Sequence, residues 1–357
     1  MTHATALSPF VAGPMITRPE LFVGRKEELR TLTGWMSGAQ PVSVNVVGER
    51  RIGKSSLLYH FFQTWEQRVS SPSRFVVVYL DLQAKTPPGE AALYQALGSA
   101  LTQQPAIQQI GPLRTALSPL PGTHKEFSTL LDAFSVRDLL PVFCLDEFEV
   151  LLKLKSDEQF TDSFFDQLRG CMNAGQLMFI LSSRKPLDVY AGKQNLTSAF
   201  FNLGQVLKLE EFTDEEADEL VALPMPGREN FPALSTKDQK LARQWGGRHP
   251  CLLQLAAISL VEARQFRKKT AWAKRHFAEQ RKRLKKEGVL TKPRSLTALL
   301  DNSLGALKKM AEAAGYIGKI LSVLLLSALL IGLIYGLWTG QLTWTAAGEW
   351  LLKLMGK

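Results

Sequence analysis

Residues 48–55 read Gly-Glu-Arg-Arg-Ile-Gly-Lys-Ser, the pattern G-x-x-x-x-G-K-[ST] of a phosphate-binding loop. The preceding stretch, Pro41 to Val47, is an apolar, β-rich run. The following stretch, Ser55 to Val69, sets Leu57, Leu58, Phe61, Phe62 and Trp65 on one face of a predicted helix. Strand, loop and helix in that order are the context in which the loop does chemistry. Gly48 and Gly53 let backbone N–H groups turn inward around phosphate oxygens. Lys54 supplies a point charge to the β- and γ-phosphates. The Ser55 hydroxyl is the expected Mg²⁺ ligand, with Ser56 beside it at a helix N-terminus whose dipole favours anions.

A chain built on this unit needs a parallel sheet, and the sequence supplies the strands. Arg74 to Gln83, Leu139 to Leu145, Gln176 to Leu181 and Gly204 to Leu209 are short apolar runs. Helical patterns over Leu93 to Leu101, Phe127 to Phe134, Phe160 to Met172 and Asp214 to Leu223 separate them. Thr213 with Glu216 three residues on predicts a capping-box helix start. Alternating βα units with nearly continuous apolar strands predict an α/β fold, a parallel sheet covered on both faces. After about residue 235 the pattern turns helical, with Leu252, Leu253, Leu255, Ala256, Ile258 and Leu260 in one largely buried helix. Residues 1–19, polar and carrying Pro9, Gly13, Pro14 and Pro19, read as a flexible arm.

Hydrolysis of a bound nucleotide requires carboxylates on a second strand. Val142 to Glu147 (VFCLDE) is an apolar strand ending in an acidic pair. Asp146 would hold Mg²⁺ through water, and Glu147 would orient or deprotonate the attacking water. Glu149 reads as a structural carboxylate. Phe179 to Arg184 (FILSSR) ends in Ser182, Ser183 and Arg184, candidates for contact with the γ-phosphate or the water. The other reading of each pair is an ordinary polar strand end.

The order of these elements resembles that of STAND and archaeal-type ATPases of the AAA+/ASCE group. Phe22-Val23-Gly24-Arg25-Lys26-Glu27-Glu28-Leu29 is similar to the F-V-G-R-x-x-E-L box that precedes their phosphate loop. Gly246-Gly247-Arg248-His249-Pro250 is similar to their G-G-x-P element, with one extra residue before the proline. Ser182-Ser183-Arg184 resembles their T-[TS]-R sensor. The resemblance spans roughly residues 20–260. It implies a P-loop NTPase sheet in the order 5-1-4-3-2 with a helical lid, ATP and Mg²⁺ as cofactors, and a slow ATPase. Carried over residue by residue, it implies that Val23 and Gly24 line an adenine pocket with Arg25 nearby. Pro250 would pack on the base, and Arg184 would sense the γ-phosphate. It also implies self-association. The pattern assigns no role to Arg50 and Arg51, and it supplies no arginine finger.

The net charge of +10 has a local origin. Between Arg264 and Arg294 there are 13 Lys/Arg against Glu279 and Glu287, a net +11, so the remainder carries −1. Phe266, Trp272 and Phe277 interleave with these cations. Anionic lipid, nucleic acid and plain solvation of a helix face are the three partners such a segment admits. Proximity to a long apolar run favours lipid. Ile320 to Trp338 extends 19 residues without a charge, about 28 Å as a helix, the thickness of a bilayer core. A buried core helix is the competing reading. Tyr316, Tyr335, Trp338 and Trp344 fall near its ends. Lysines cluster on its N-terminal side, so the positive-inside rule places the large domain in the cytoplasm. Gly332 and Gly336 form a G-x-x-x-G step that can drive helix association.

The expected organisation is therefore an arm at 1–19, an ATPase core at 20–234, and a lid with a basic juxtamembrane segment at 235–294. A linker at 295–319, a transmembrane helix at 320–338 and a short tail at 339–357 complete it. Cys144, Cys171 and Cys251 lie at no metal-binding spacing and read as buried reduced thiols. The N-terminus has no basic segment followed by an apolar core, and so no signal-peptide pattern. The first expectation for function is a membrane-tethered, ATP-driven, oligomerising signalling switch, of the kind that serves in prokaryotic defence, acting on an unidentified protein partner. The alternatives are a nucleic-acid-handling ATPase of the initiator or transposition-regulator kind held at the membrane, and a nucleotide-binding scaffold without turnover.

Overall fold

The strands fold where apolar side chains can be buried on both faces. The computed structural model describes residues 8–153, 160–193, 197–202 and 205–286. The chain divides into two compact units, Met1–Val289 and Leu290–Lys357, and every described residue lies in the first. In chain order the elements are α1 (Lys26–Ser37), β1 (Val44–Val47), α2 (Lys54–Thr64), β2 (Phe75–Asp81), α3 (Glu90–Thr102), α4 (Pro105–Gln109) and α5 (Gly111–Ala116). Then come α6 (His124–Ser135), β3 (Leu140–Asp146), α7 (Glu149–Lys153), α8 (Asp162–Asn173), β4 (Met178–Ser183), α9 (Leu187–Lys193) and β5 (Gln205–Lys208). The last group is α10 (Asp214–Val221), β6 (Pro224–Met225), β7 (Arg228–Pro232), α11 (Thr236–Gly246), α12 (Pro250–Gln265) and α13 (Thr270–Lys286).

The five long strands form one parallel sheet in the order β2-β3-β4-β1-β5, which is the expected 5-1-4-3-2. β1, β3 and β4 are buried along their whole length, as the apolar runs require. β5, on the edge, alternates half-buried and exposed residues. One face of the sheet carries α3, α6 and α8 over an aromatic layer that includes Phe127, Phe143, Phe164, Phe165, Phe179 and Phe200. The other face carries α1 and α2 over Val44, Val46, Leu57, Leu58 and Phe61. A third core joins α10, α11, α12 and α13 into the helical lid. Both Thr213–Glu216 at α10 and Thr123–Glu126 at α6 form reciprocal capping boxes.

Three local expectations change. The helix expected over Ser55 to Val69 is α-helical only to Thr64 and ends in a 3₁₀ turn, Trp65–Arg68. An antiparallel hairpin, β6–β7, lies between α10 and α11, where no strand was expected. The stretch read as a flexible arm packs from Ser8 onward. Phe10 is buried in the lid core, and the Val11 N–H donates to Gln254 Oε1 at 3.0 Å. Prolines and glycines do extend this segment, but Phe10 anchors it. The proposed linker, transmembrane helix, tail and G-x-x-x-G step lie outside the described residues, as do residues 287–294 of the basic segment. Among the described residues no helix is long and apolar enough to cross a membrane.

Candidate nucleotide site

The loop after β1 takes its shape from two left-handed residues, Arg51 (φ 64°) and Gly53 (φ 105°). Gly53 then starts α2, so the helix N-terminus opens into the loop. Gly48 is small for a different reason. A Cβ there would lie 2.9 Å from Ile52 Cγ2 and 3.0 Å from the Leu209 carbonyl oxygen, so the loop could not close against β5. The Lys54 ammonium reaches back to the carbonyl oxygens of Gly48 (2.9 Å) and Glu49 (3.1 Å). Burial pulls it below the usual lysine range, against the opposing pull of Glu147, Glu149 and Asp146. Fixed donors and a buried cation make the loop a receptor for phosphate.

A cleft runs from this loop to the lid. Its walls include Val23, Arg25, Gly53, Lys54, Ser55, Ser56, Glu147 and Pro250, all expected at a nucleotide site. Apolar groups at the lid end, Phe212, Leu220 and Pro250, suit a base. Loop and helix terminus at the other end suit phosphates. Gly24 and Gly48 shape this wall without lining it. Gly24 is left-handed (φ +72°), and a Cβ there would meet the Glu216 carboxylate at 2.8 Å. That closeness lets the Arg25 N–H donate to Glu216 Oε1 of the α10 capping box. The Arg25 guanidinium is buried. It pairs with Glu28 at 2.8 Å, donates to the carbonyls of Ile52 (3.2 Å) and Glu210 (2.6 Å), and lies 4.8 Å over the Phe212 ring. Arg25 thus braces box, loop and lid together.

Asp146 ends β3 behind the cleft wall and is nearly inaccessible. The Ser182 hydroxyl donates to Asp146 Oδ1 and the Tyr79 hydroxyl to Oδ2 (3.0 Å). The Glu147 N–H donates to Ser182 Oγ (2.9 Å) and Asp146 Oδ1 (3.1 Å). Glu147 itself takes a left-handed conformation (φ 54°), which turns the residue after the strand into the cleft. Ser182 therefore holds both members of the acidic pair. Ser183 faces elsewhere: its hydroxyl donates to the Lys185 carbonyl (2.6 Å) and meets Asn45 on β1.

Arg184 does not line the cleft. Its N–H donates to Glu149 Oε1 at 3.3 Å and its Nε lies 3.6 Å from the same oxygen. Glu149 is buried, and its Oε2 has no partner among the described residues. Burial, then the Glu147 charge, raise its carboxyl above the usual range. Its role in the structure is to hold Arg184 at the end of β4.

Mg²⁺ takes one or two protein oxygens and completes its octahedron with waters and phosphates. Of the two residues expected to hold it, Ser55 lines the cleft, whereas Asp146 lies outside the lining with both carboxylate oxygens hydrogen-bonded, so that it would reach the ion only through water.

Val11 and residues 13–16 line the cleft without belonging to any motif. The Ile16 N–H donates to Ser56 Oγ (3.1 Å), and the Tyr79 hydroxyl sits 3.4 Å from Met15 Sδ. A Cβ on Gly13 (φ +116°) would lie 3.0 Å from Arg51 Nη1. These contacts set the segment across the cleft as a strap from lid to loop. His249, the extra residue of the G-G-x-P element, is buried at the start of α12, with neither ring nitrogen partnered among the described residues. Burial lowers its basicity, so the ring is held toward neutrality. The three cysteines are buried and free.

Comparison with known proteins agrees with this geometry. The profile of a family described as Novel STAND NTPase 1 matches residues 14–271. No curated protein matches the chain. Among solved structures, the Walker-type ATPase PABY2304 of Pyrococcus abyssi is similar at 17% identity, with a TM-score of 0.57 and 84% of each chain covered. The Aeropyrum pernix ORC2 protein in its ADP form is similar at 15% identity, with a TM-score of 0.52, covering 85% of this chain and 77% of that one. At such identities the likeness is one of fold.

Proposed function

The chain belongs to the Novel STAND NTPase 1 family, and on that premise we propose that it is a membrane-tethered ATPase that works as an oligomerising signalling switch. The observation that carries the reading is the cleft itself. One cavity joins the phosphate loop, Glu147 and the lid residue Pro250. Core and lid are further linked through Arg25, whose N–H meets α10 and whose guanidinium meets the loop. A ligand seated between them therefore bears on both.

In this reading Lys54 and the loop N–H groups bind the β- and γ-phosphates of ATP. Ser55 and Asp146 hold Mg²⁺, which neutralises charge on the transferring group. Glu147, fixed by Ser182, orients the water and accepts its proton. The Glu149–Arg184 pair is the element that a γ-phosphate perturbs, because Arg184 can exchange its carboxylate for the phosphate. The closed lid presents a surface for a second protomer, and the C-terminal apolar stretch tethers the assembly to the cytoplasmic face of a membrane. A signalling role in defence, exerted through a protein partner, is the biological setting we assign.

The test is ATP turnover by detergent-purified full chain, with oligomer mass recorded on the same samples. Lys54→Ala is expected to abolish nucleotide binding. Glu147→Gln is expected to abolish turnover and trap an ATP-dependent assembly. The wild-type chain should sediment with membranes. No turnover and no ATP-dependent change in mass would overturn the switch, and recovery only in the soluble fraction would overturn the tether.

A further inference from the structure

The lid carries a second concave feature, remote in composition from the nucleotide cleft. A trough of about 510 Å³ lies between α11 and α13, bounded by Gln244 and Trp245 on one wall and by Lys274, Phe277, Arg281 and Lys285 on the other. On α13 the lining cations, Lys274, Arg281, Lys282 and Lys285, recur at helical spacing. They extend over about 16 Å of helix. The helix's one acid, Glu279, points around the axis from them and is not part of the trough. On α11, Lys237 and Lys240 share a helical row with Gln244. Among the described residues, Lys274, Arg281, Lys282 and Lys285 have no carboxylate partner. Trp245 stacks on Phe277 across the trough, with ring centroids 6.0 Å apart and planes 28° apart.

We infer that this trough binds single-stranded nucleic acid, with phosphates along the α13 cations and a base on Trp245. The inference goes beyond the ATPase reading and uses none of its residues. Cations repeated along a groove track a chain of phosphates, whose spacing fits several contacts over this length. The half-buried Trp245 adds a stacking surface that any base can use. Burial separates this ligand from a lipid surface. A helix that lies on a bilayer projects its aromatic groups into the acyl boundary, whereas Phe277 is buried in the lid core with the half-buried Trp245 packed on it. Single strands are favoured over duplex because only an unstacked base can lie on the Trp245 ring.

The trough is mechanically close to the nucleotide cleft. Trp245 is followed by Gly246, where a Cβ would lie 2.5 Å from Leu253 Cα, so α11 and α12 are locked at this point. Four residues further on, Pro250 lines the nucleotide cleft. A strand bound in the trough therefore presses on the same turn that closes over a nucleotide.

The experiment is fluorescence anisotropy of a labelled oligothymidylate of about twenty nucleotides with the detergent-solubilised full chain, across a salt series. Arg281→Glu with Lys282→Glu is expected to weaken binding at least about tenfold and to lower the log K against log salt slope by about 1.4, the share of two phosphate contacts. Trp245→Leu keeps an apolar contact for Phe277 and is expected to weaken binding about fivefold or more, with a smaller change in that slope. Both exposed charge reversals leave the lid core intact, so lost binding is not lost folding. Oligothymidylate binding unchanged in the charge variants would overturn the inference. So would tighter binding of a duplex of equal length, or binding of anionic phosphatidylserine vesicles through these cations with none of the oligonucleotide.

Discussion

At the scale of single residues, the site depends on side chains whose work is to hold others. The Ser182 hydroxyl is the example. It donates to Asp146 and receives the Glu147 N–H, so one oxygen positions both carboxylate-bearing residues. Ser182→Ala would leave a buried N–H with one weaker partner and let the left-handed turn at Glu147 relax. The expected result is a fall in kcat of about tenfold or more, near 1.4 kcal/mol of transition-state stabilisation, with ATP affinity changed far less. Steady-state turnover beside nucleotide titration separates the two. The candidate phosphate-site residues were legible in sequence because phosphate chemistry demands a Gly-rich loop, a lysine and an acidic strand end. The residues that position them were only partly so. Ser182 was visible as a polar strand end, but its choice of Asp146 over a γ-phosphate is set by the β3–β4 register, in which Leu145 faces Leu181. Arg184 was visible as a candidate at the end of a strand, yet its pairing with the buried Glu149 was not.

At the scale of elements, the strap from Phe10 to Ile16 is the clearest departure. Composition made it an arm, because Pro9, Gly13, Pro14 and Pro19 interrupt residues 1–19. One aromatic anchor and two backbone N–H donors, to Gln254 and Ser56, reverse that outcome. Phe10→Ala removes the anchor from the lid core. It should cost about 3 kcal/mol of lid stability and loosen the cleft wall formed by Val11 and residues 13–16. Denaturant unfolding would register the first effect. A faster release of bound nucleotide in stopped-flow, with Lys54 and Glu147 untouched, would register the second. An unchanged release rate would show that the strap only buttresses the lid. The lid helices themselves followed from periodicity, and α12 is buried along most of its length as its apolar run required.

At the scale of the whole molecule, stability should depend on pH through a histidine outside the chemistry. His60 on α2 stacks on Phe22 of the N-terminal box, with ring centroids 4.0 Å apart and planes 9° apart. Burial, then the nearby Arg68 charge, depress its pKa to about 4. The unfolded chain binds this proton from near pH 6.5, so stability is undiminished above that value and falls as pH drops toward 4. The loss should reach about 2 kcal/mol by pH 5. Urea unfolding at pH 7.5 and pH 5 would check it, and His60→Phe, which keeps the stack, should flatten that part of the profile. A slope unchanged by the substitution would assign the acid sensitivity to carboxylates instead.

By itself the sequence determined the phosphate loop, the alternation of strands and helices, the order of the acidic and the Ser-Ser-Arg strand ends, and the charge concentrated past residue 264. These are local properties. A glycine-rich turn, an apolar run and a helical period each express the chemistry of neighbouring residues. Only the tertiary structure decided that the arm becomes a strap, that Arg25 braces loop and lid, that Glu149 holds Arg184, and that four cations and a tryptophan from two helices share one trough. Each of those joins residues far apart in the chain. Their contacts depend on strand register and helix packing, which no short window of sequence encodes.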